Sequence, residues 1–254
     1  MSDSYNFIGI IPARYASTRF PGKPLVEIGG KTMIQRVYEQ ASKALEYVYV
    51  ATDDERIFDA VKQFNGKVVY TSSEHQSGTD RCAEAVRKSE EIESQSFDIV
   101  INIQGDEPFI KPQQIQKLMS CFAEQDTQIA TLIKPFGEND NIFDANKVKA
   151  IIDKKMKALY FSRAVIPFLR DIDNNADWTK LHRFFLHIGL YAYKKEVLYN
   201  LTNLPPSLLE KAEALEQLRW LENGYHIQTK ITEYDSIGID TPEDIERLKK
   251  LGIA

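Results

Sequence analysis

Apolar residues run almost without a break through residues 7–11, 47–51, 68–70, 99–103 and 129–133. Between these runs, over 33–45, 55–64, 81–88 and 112–123, the pattern changes to that of helices. Apolar strands without alternation are buried on both faces, and their regular interleaving with helices predicts an α/β fold with a mostly parallel sheet covered on both sides.

The pattern shifts near Pro135. Residues 147–153 and 158–162 read as two strands around a turn at 154–157; 171–177 is polar, and 185–193 reads as a further strand. This β-rich stretch, about 135–193, is expected to be an insertion or lid on the α/β core. A helix is expected over 208–221, closed by Asn223-Gly224, because glycine commonly follows a helix C-terminus. No internal repeat, low-complexity tract or Gly/Pro/Ser-rich linker interrupts the 254 residues, which are expected to form one domain.

Composition narrows the class. With 43% hydrophobic and 27% charged residues and a net charge of −5, this is an ordinary globular composition without the basic excess of a nucleic-acid or membrane-surface binder. Cys82 and Cys121 are the only cysteines and form no CxxC pair, so neither a disulfide framework nor a structural zinc site is expected. The first residues have no basic leader, and no run approaches the roughly 20 apolar residues of a membrane span. A cytoplasmic protein without membrane insertion is expected.

Against that acidic total, the stretch from Pro12 to Pro24 collects Arg14, Arg19 and Lys23 directly after the first apolar run. It is no Walker A loop, since Pro21 and Pro24 oppose the helix that motif opens. Gly29-Gly30-Lys31-Thr32 fails too, because Leu25 stands where the first glycine belongs. The three cations could surround a polyphosphate, arginine as a planar fork and lysine as a point charge, or form a solvated basic turn. Two acidic loops follow other apolar runs: Gln104-Gly105-Asp106-Glu107-Pro108 after 99–103, and Asp240-Thr241-Pro242 after 237–239. Ligands of open α/β sheets sit beyond the carboxyl ends of the strands, where all three loops would project. Asp106 and Asp240 could together hold Mg²⁺ with substrate phosphate oxygens. The alternative for Asp106 is turn chemistry. For Asp240 it is helix capping, but Thr241 is the better N-cap and Pro242 suits the first helical position.

Two further groups suggest a second ligand. On the strand 185–193, Leu186, Ile188, Leu190 and Ala192 share one face, and His187 and Tyr191 the other. Near Leu215, Glu213, Glu216 and Gln217 are neighbours at helical spacing. Solvated residues are the alternative for both groups. A zinc pair of His182 and His187 does not fit their five-residue spacing on a strand.

The segments IIPARYASTRFPGKPL, HQSGTDR, NIQGDEP, YFSRAVIP, HIGLYAY, LEQLRWLENG and GIDTPED occur in this order and span almost the whole chain. In them the sequence resembles the CMP-Kdo synthetases (3-deoxy-manno-octulosonate cytidylyltransferases). The opening loop points to the wider sugar nucleotidyltransferases; HQSGTDR, YFSR and LEQLR narrow it to this branch. The resemblance implies a three-layer, mostly parallel mixed sheet of the nucleotide-diphospho-sugar transferase type, whose β-rich portion contributes to a homodimer. It implies transfer of CMP from CTP to the keto-sugar acid Kdo for lipopolysaccharide biosynthesis. By matching motifs, Arg14, Arg19 and Lys23 resemble triphosphate ligands, Asp106 and Asp240 the Mg²⁺ ligands, and Ser77 and Gly78 the residues against the base. Gln104, Arg163, His187, Tyr191, Glu216 and Gln217 resemble the sugar pocket. Asp80 stands where the motif has glutamate. A related acceptor such as 8-amino-Kdo, or a scaffold that binds nucleotide without catalysis, are the competing readings.

Overall fold

The computed structural model describes residues 5–16, 20–172, 178–235 and 238–250. In chain order its elements are β1 (Phe7–Ala13), a 3₁₀ turn (Lys23–Leu25), β2 (Glu27–Ile28), β3 (Lys31–Thr32), α1 (Met33–Ala41), β4 (Val48–Thr52) and α2 (Glu55–Gln63). Then come β5 (Val68–Tyr70), α3 (Gly78–Glu93), β6 (Ile99–Asn102), α4 (Pro112–Met119) and β7 (Ile129–Pro135). The hairpin strands β8 (Lys149–Ile152) and β9 (Ala158–Ser162) precede α5 (Trp178–Leu181), β10 (Phe185–Lys194) and α6 (Lys195–Leu201). The chain closes with α7 (Leu208–Glu213), α8 (Glu216–Glu222), β11 (Ile227–Ile231) and α9 (Pro242–Lys250). It divides into two compact units, each discontinuous in sequence, which is why no linker composition marks the division.

The first unit comprises Met1–Gln116, Ala192–Thr202 and Ser236–Ala254. Its strands lie in the order β6-β1-β4-β5, every neighbouring pair parallel. Ile8, Ile10, Ile11, Val50, Ala51, Ile99, Val100 and Ile101 are completely buried, as strands covered on both faces require. Helices α1 and α2 carry the chain outward from β1 to β5, and α3 carries it back to β6 on the far side of β1. Right-handed crossovers therefore place α3 on the face opposite α1 and α2, completing three layers. The strand order reverses between β1 and β6, and there the crevice beyond the strand ends opens.

The second unit comprises Lys117–Tyr191 and Asn203–Asp235. Here β11 pairs parallel with β7, β7 neighbours β10, and β8 runs antiparallel to both β10 and β9. The expected hairpin at 154–157 is present, but an aspartate rather than its lysines shapes it: Asp153 Oδ1 accepts from the backbone N–H groups of Lys155 and Lys157, each at 2.8 Å. Both cysteines are buried thiols.

Three expectations change. The helix expected over 208–221 is two helices, broken at Ala214 in the left-handed conformation (φ 51°, ψ 50°). At the break, a side chain from elsewhere in the chain takes over the helix carbonyls. Arg163 Nε donates to the Glu213 carbonyl at 2.6 Å and Nη2 to that of Ala214 at 3.4 Å, so a side chain satisfies carbonyls that a continuing helix would use. Gly238 and Ile239 are not in a strand, and Ile237 lies outside the described residues. β11, which alternates Ile227, Thr229 and Ile231 with Gln228 and Lys230, was not anticipated, nor was the short α6.

Candidate functional site

In the first unit the opening loop is built around Gly22, whose positive φ of 73° suits glycine. Its N–H donates to the Tyr15 carbonyl at 2.9 Å. A side chain here would also meet the Tyr15 ring at 3.1 Å, which is itself covered by the Arg56 guanidinium 3.3 Å from the ring centre. Pro24, buried, then starts the turn that carries Lys23. Arg14 is exposed immediately after β1. Arg19 lies outside the described residues.

The loop after β6 passes close to the end of β1. A Cβ on Gly105 would sit 2.9 Å from the Pro12 carbonyl oxygen, so only glycine lets the two backbones approach this way. Asp106 follows, and its own carbonyl accepts the Ile239 N–H at 3.0 Å. Ile239 and Ile245 pack with Ile28 and Met33 in one buried cluster. This apolar anchor seats the segment carrying Asp240. The capping expectation holds there: the N–H groups of Asp240 and Thr241 both donate to Asp244 Oδ2 at 3.0 Å, at the start of α9. The Asp240 carboxylate instead meets Lys23.

Among the described residues, Lys23, Asp106 and Asp240 meet in a charge cluster. Lys23 Nζ lies 2.8 Å from Asp106 Oδ2 and 3.1 Å from Asp240 Oδ1. The lysine side chain is only 14% exposed, against 33% and 49% for the aspartates. Two carboxylates held by backbone contacts around one cation form the kind of oxygen set that takes Mg²⁺ together with phosphate oxygens. Among the described residues no group of three or more His, Cys, Asp and Glu side chains converges in the same way, so the pair would depend on a ligand's oxygens to complete a shell.

Beside this cluster, Ser77 and Gly78 open α3. Ser77 Oγ accepts from the Asp80 N–H and Asp80 Oδ2 from the Ser77 N–H, both at 3.1 Å. Aspartate thus closes the capping box that the motif's glutamate would close. The Ser77 hydroxyl is occupied in capping. Arg81, 1% exposed, ties α3 to Thr71 at 2.6 Å and Asp53 at 3.1 Å. Gln104 is half-buried between β6 and Asp106. Sequence reasoning missed Asn102, the polar residue that ends β6. It is 3% exposed, its Oδ1 is buried without a hydrogen-bond partner among the described residues, and its Nδ2 lies 3.8 Å from where a Gly78 Cβ would be. An asparagine inside an otherwise apolar strand was the available signal.

In the second unit, His187 and Tyr191 do share a face, their ring centres 5.3 Å apart. Phe161 packs on His187 at 4.9 Å and Trp220 on Tyr191 at 5.0 Å, leaving Tyr191 buried and His187 partly exposed. His187 Nε2 and Thr131 Oγ1 are 3.2 Å apart. Burial pushes the His187 imidazole down to about 3, so it is neutral at pH 7 and offers hydrogen bonding without charge. Burial first, then the Glu216 carboxylate, hold the Tyr191 phenol well above its ordinary value. Gln217 is 5% exposed, and its Nε2 is buried without a hydrogen-bond partner among the described residues. A buried amide in that condition is unusual and suits a hydroxyl-bearing ligand. Glu216 Oε1 lies 3.4 Å from Arg219, which also binds Glu210 at 2.7 Å.

Arg163 behaves differently from the others. Besides the two α7–α8 carbonyls, it donates to that of Ala145 at 3.1 Å. Three of its five N–H donors are thus engaged with backbone. The same residue lines an open cleft of about 410 Å³ with Phe143, Phe168 and Trp178. Lys149, completely buried and unforeseen, donates to the carbonyls of Asp144 at 3.0 Å and Arg163 at 2.5 Å; burial lowers its pKa.

The chain matches the cytidylyltransferase family over residues 8–231. It is 58% identical over 245 residues to a 3-deoxy-manno-octulosonate cytidylyltransferase of Parabacteroides distasonis, covering 95% of this chain and 96% of that protein. It is 50% identical over 247 residues to the enzyme of the same name from Thermodesulfovibrio yellowstonii, covering 96% of each. Among solved structures it is similar to a CMP:2-keto-3-deoxy-manno-octonic acid synthetase complexed with CTP, with a TM-score of 0.87 and 39% identity over 97% of this chain and 98% of that one. A 4-diphosphocytidyl-2C-methyl-D-erythritol synthase from Anaerococcus prevotii shares the fold at a TM-score of 0.60 and 18% identity, over 98% of this chain and 97% of that one.

Proposed function

The chain belongs to the cytidylyltransferase family, and from that premise we propose that it activates 3-deoxy-D-manno-octulosonate with CTP, giving CMP-Kdo and pyrophosphate. The observation that carries this reading is the Lys23–Asp106–Asp240 cluster, set at the switch point of a chain that is 58% identical over 95% of its length to an enzyme named for this reaction. Relatives at this identity favour Kdo over the 8-amino acceptor and over a scaffold without catalysis.

Both reactants are anions, so approach of the sugar to the α-phosphorus first needs charge neutralised. Arg14 and Lys23 hold the triphosphate, with Arg19 from the same loop, and take up charge that builds on the departing pyrophosphate. Asp106 and Asp240 are the residues that would hold Mg²⁺; bound there, it would shield phosphate oxygens and lower the pKa of the attacking hydroxyl. The anomeric hydroxyl oxygen bonds to the α-phosphorus as the bond to the bridging oxygen of the β-phosphate breaks. Pyrophosphate leaves with that electron pair, and the hydroxyl proton passes to water. Gly78, next to Ser77, offers a flat surface to the base. In the first unit Gln104, and in the second His187, Tyr191, Glu216 and Gln217, are assigned to the sugar hydroxyls; Arg163, with two N–H donors not given to carbonyls, is assigned to its carboxylate.

Among the described residues no helix is long and apolar enough to cross a membrane. Action in the cytoplasm, on the route to lipopolysaccharide, belongs to the same proposal. So does a homodimer formed through the β-rich portion, supported by the exposure of Leu159 and Phe168 there. The test is pyrophosphate release from CTP and Mg²⁺ with no sugar, with Kdo, and with 8-amino-Kdo. Kdo-dependent release is expected. Release with the amino sugar alone would move the acceptor, and none with either from folded protein would overturn the reading.

A further inference from the structure

We infer that Lys23 is the resident cation of the Asp106–Asp240 pair, and that a divalent ion enters the pair only as Lys23 transfers its charge to a bound triphosphate. This rests on the nucleotide-and-metal reading of the cluster and adds an order of events to it.

The two carboxylates do not need the lysine to stay together. The Ile239 N–H bond to the Asp106 carbonyl and the packing of Ile239 with Ile28, Met33 and Ile245 hold their backbones in place. Lys23 is held at its base by the left-handed Gly22 and the buried Pro24, and at its tip, among the described residues, only by the two carboxylates it would release. Its four-carbon stem has rotatable bonds, and its ammonium is a compact charge with rotatable donors. In the structure that ammonium already contacts one oxygen of each aspartate, at 2.8 and 3.1 Å. A dication entering the pair would stand within a few ångströms of it, in a setting where the lysine is 14% exposed and weakly screened. Like charges brought together in that way oppose binding.

A triphosphate removes the conflict. It gives Lys23 new anionic oxygens and gives the ion the extra ligands that two carboxylates cannot supply. Metal and nucleotide then favour each other reciprocally, with Lys23 as the element both of them bias. The ammonium also spares the nucleotide-free protein the repulsion of two adjacent carboxylates.

Mn²⁺ serves as the probe, its binding to nucleotide-free protein followed by the electron paramagnetic resonance signal of the free ion. Lys23→Met is expected to tighten Mn²⁺ binding at least about tenfold, Lys23→Arg to leave it weak, and Lys23→Met with Asp106→Asn to lose the gain. Equal Mn²⁺ affinity in native protein and cooperatively melting Lys23→Met would overturn the inference. Should Lys23→Met not fold, the ¹⁵N signal of the Lys23 ammonium in native protein decides. Millimolar Mg²⁺ alone should leave it in place and Mg²⁺ with CTP should shift it; a shift with Mg²⁺ alone would sink the idea. The two readings fail separately. Mg²⁺-dependent pyrophosphate release with unchanged Mn²⁺ affinity removes the resident-cation role alone, whereas tightened Mn²⁺ binding without release removes the enzymatic reading alone.

Discussion

Gln217 and His187 show what single side chains contribute to the second unit. A buried amide nitrogen without a partner costs the folded protein on the order of 1–3 kcal/mol. Gln217→Leu is therefore expected to hold or raise the melting temperature while raising the KM for the sugar acid about tenfold, with the KM for CTP unchanged. Equal sugar KM values would remove Gln217 from the pocket. His187 gives a pH signature. Its imidazole, held down by burial, resists protonation until about 3, whereas an unfolded chain takes the proton near the ordinary value of 6.5. Between those values the unfolded state binds more protons, so stability falls as pH falls, by at most about 1.4 kcal/mol per unit from this group. Urea titrations at pH 7, 6, 5 and 4 should show His187→Gln losing stability less steeply than the native protein. Parallel slopes would mean the imidazole is not excluded from water. The sequence period placed His187 and Tyr191 on one face, but it could not reveal that Phe161 and Trp220 pack against them. Those partners come from other elements.

Among the elements, the α7–α8 break shows how a side chain far along the chain overrides local pattern. Residues 208–221 have helical spacing throughout, and the interruption depends on Arg163, about 50 positions earlier. Nothing in the segment's own composition signals it except that Ala214 is an alanine forced to a φ of 51°. An L-residue pays roughly 1–2 kcal/mol for that conformation, and glycine avoids most of it at some cost in unfolded-state entropy. Ala214→Gly is expected to raise the unfolding free energy by about 0.5–1 kcal/mol and to leave both KM values alone; a loss of stability would show that the methyl group's contacts outweigh its strain. The N-terminus of α3 was more legible, because a cap needs only neighbours: Ser77 and Asp80 lie three apart and close their box without outside help. The first-unit strands were legible for a related reason. Burial on both faces leaves a continuous apolar run, while the half-polar β11 leaves only a weak alternation.

For the whole molecule, strand order decides where chemistry can occur. The parallel order β6-β1-β4-β5 follows from the alternation of runs and helices only up to its sense of winding, which pairing fixes and sequence does not state. Once the reversal lies between β1 and β6, the loops that end those strands must share one crevice, and Lys23 meets Asp106 there although 83 positions separate them. Asp240, 217 positions from Lys23, arrives by a different route. It comes not at the end of the expected strand but on a segment pinned by Ile239. The charges of all three were readable, and their meeting rested on topology and packing. The tolerance of that meeting is set at Gly105, where the loop after β6 crosses the end of β1. A Cβ would fall 2.9 Å from the Pro12 carbonyl oxygen, a backbone atom that cannot swing away as a side chain does, so Gly105→Ala must push the loop and carry Asp106 with it. Electrostatic positioning tolerates about 0.5 Å, and a misplacement of about 1 Å costs on the order of a hundredfold in rate. The β1 and β6 cores lie below the crossing and keep their burial. Gly105→Ala should therefore lower kcat for pyrophosphate release between about tenfold and a hundredfold while moving the melting temperature by only a few degrees. Native kcat in this variant would mean that the loops have slack and that the close crossing does not set the position of the aspartate.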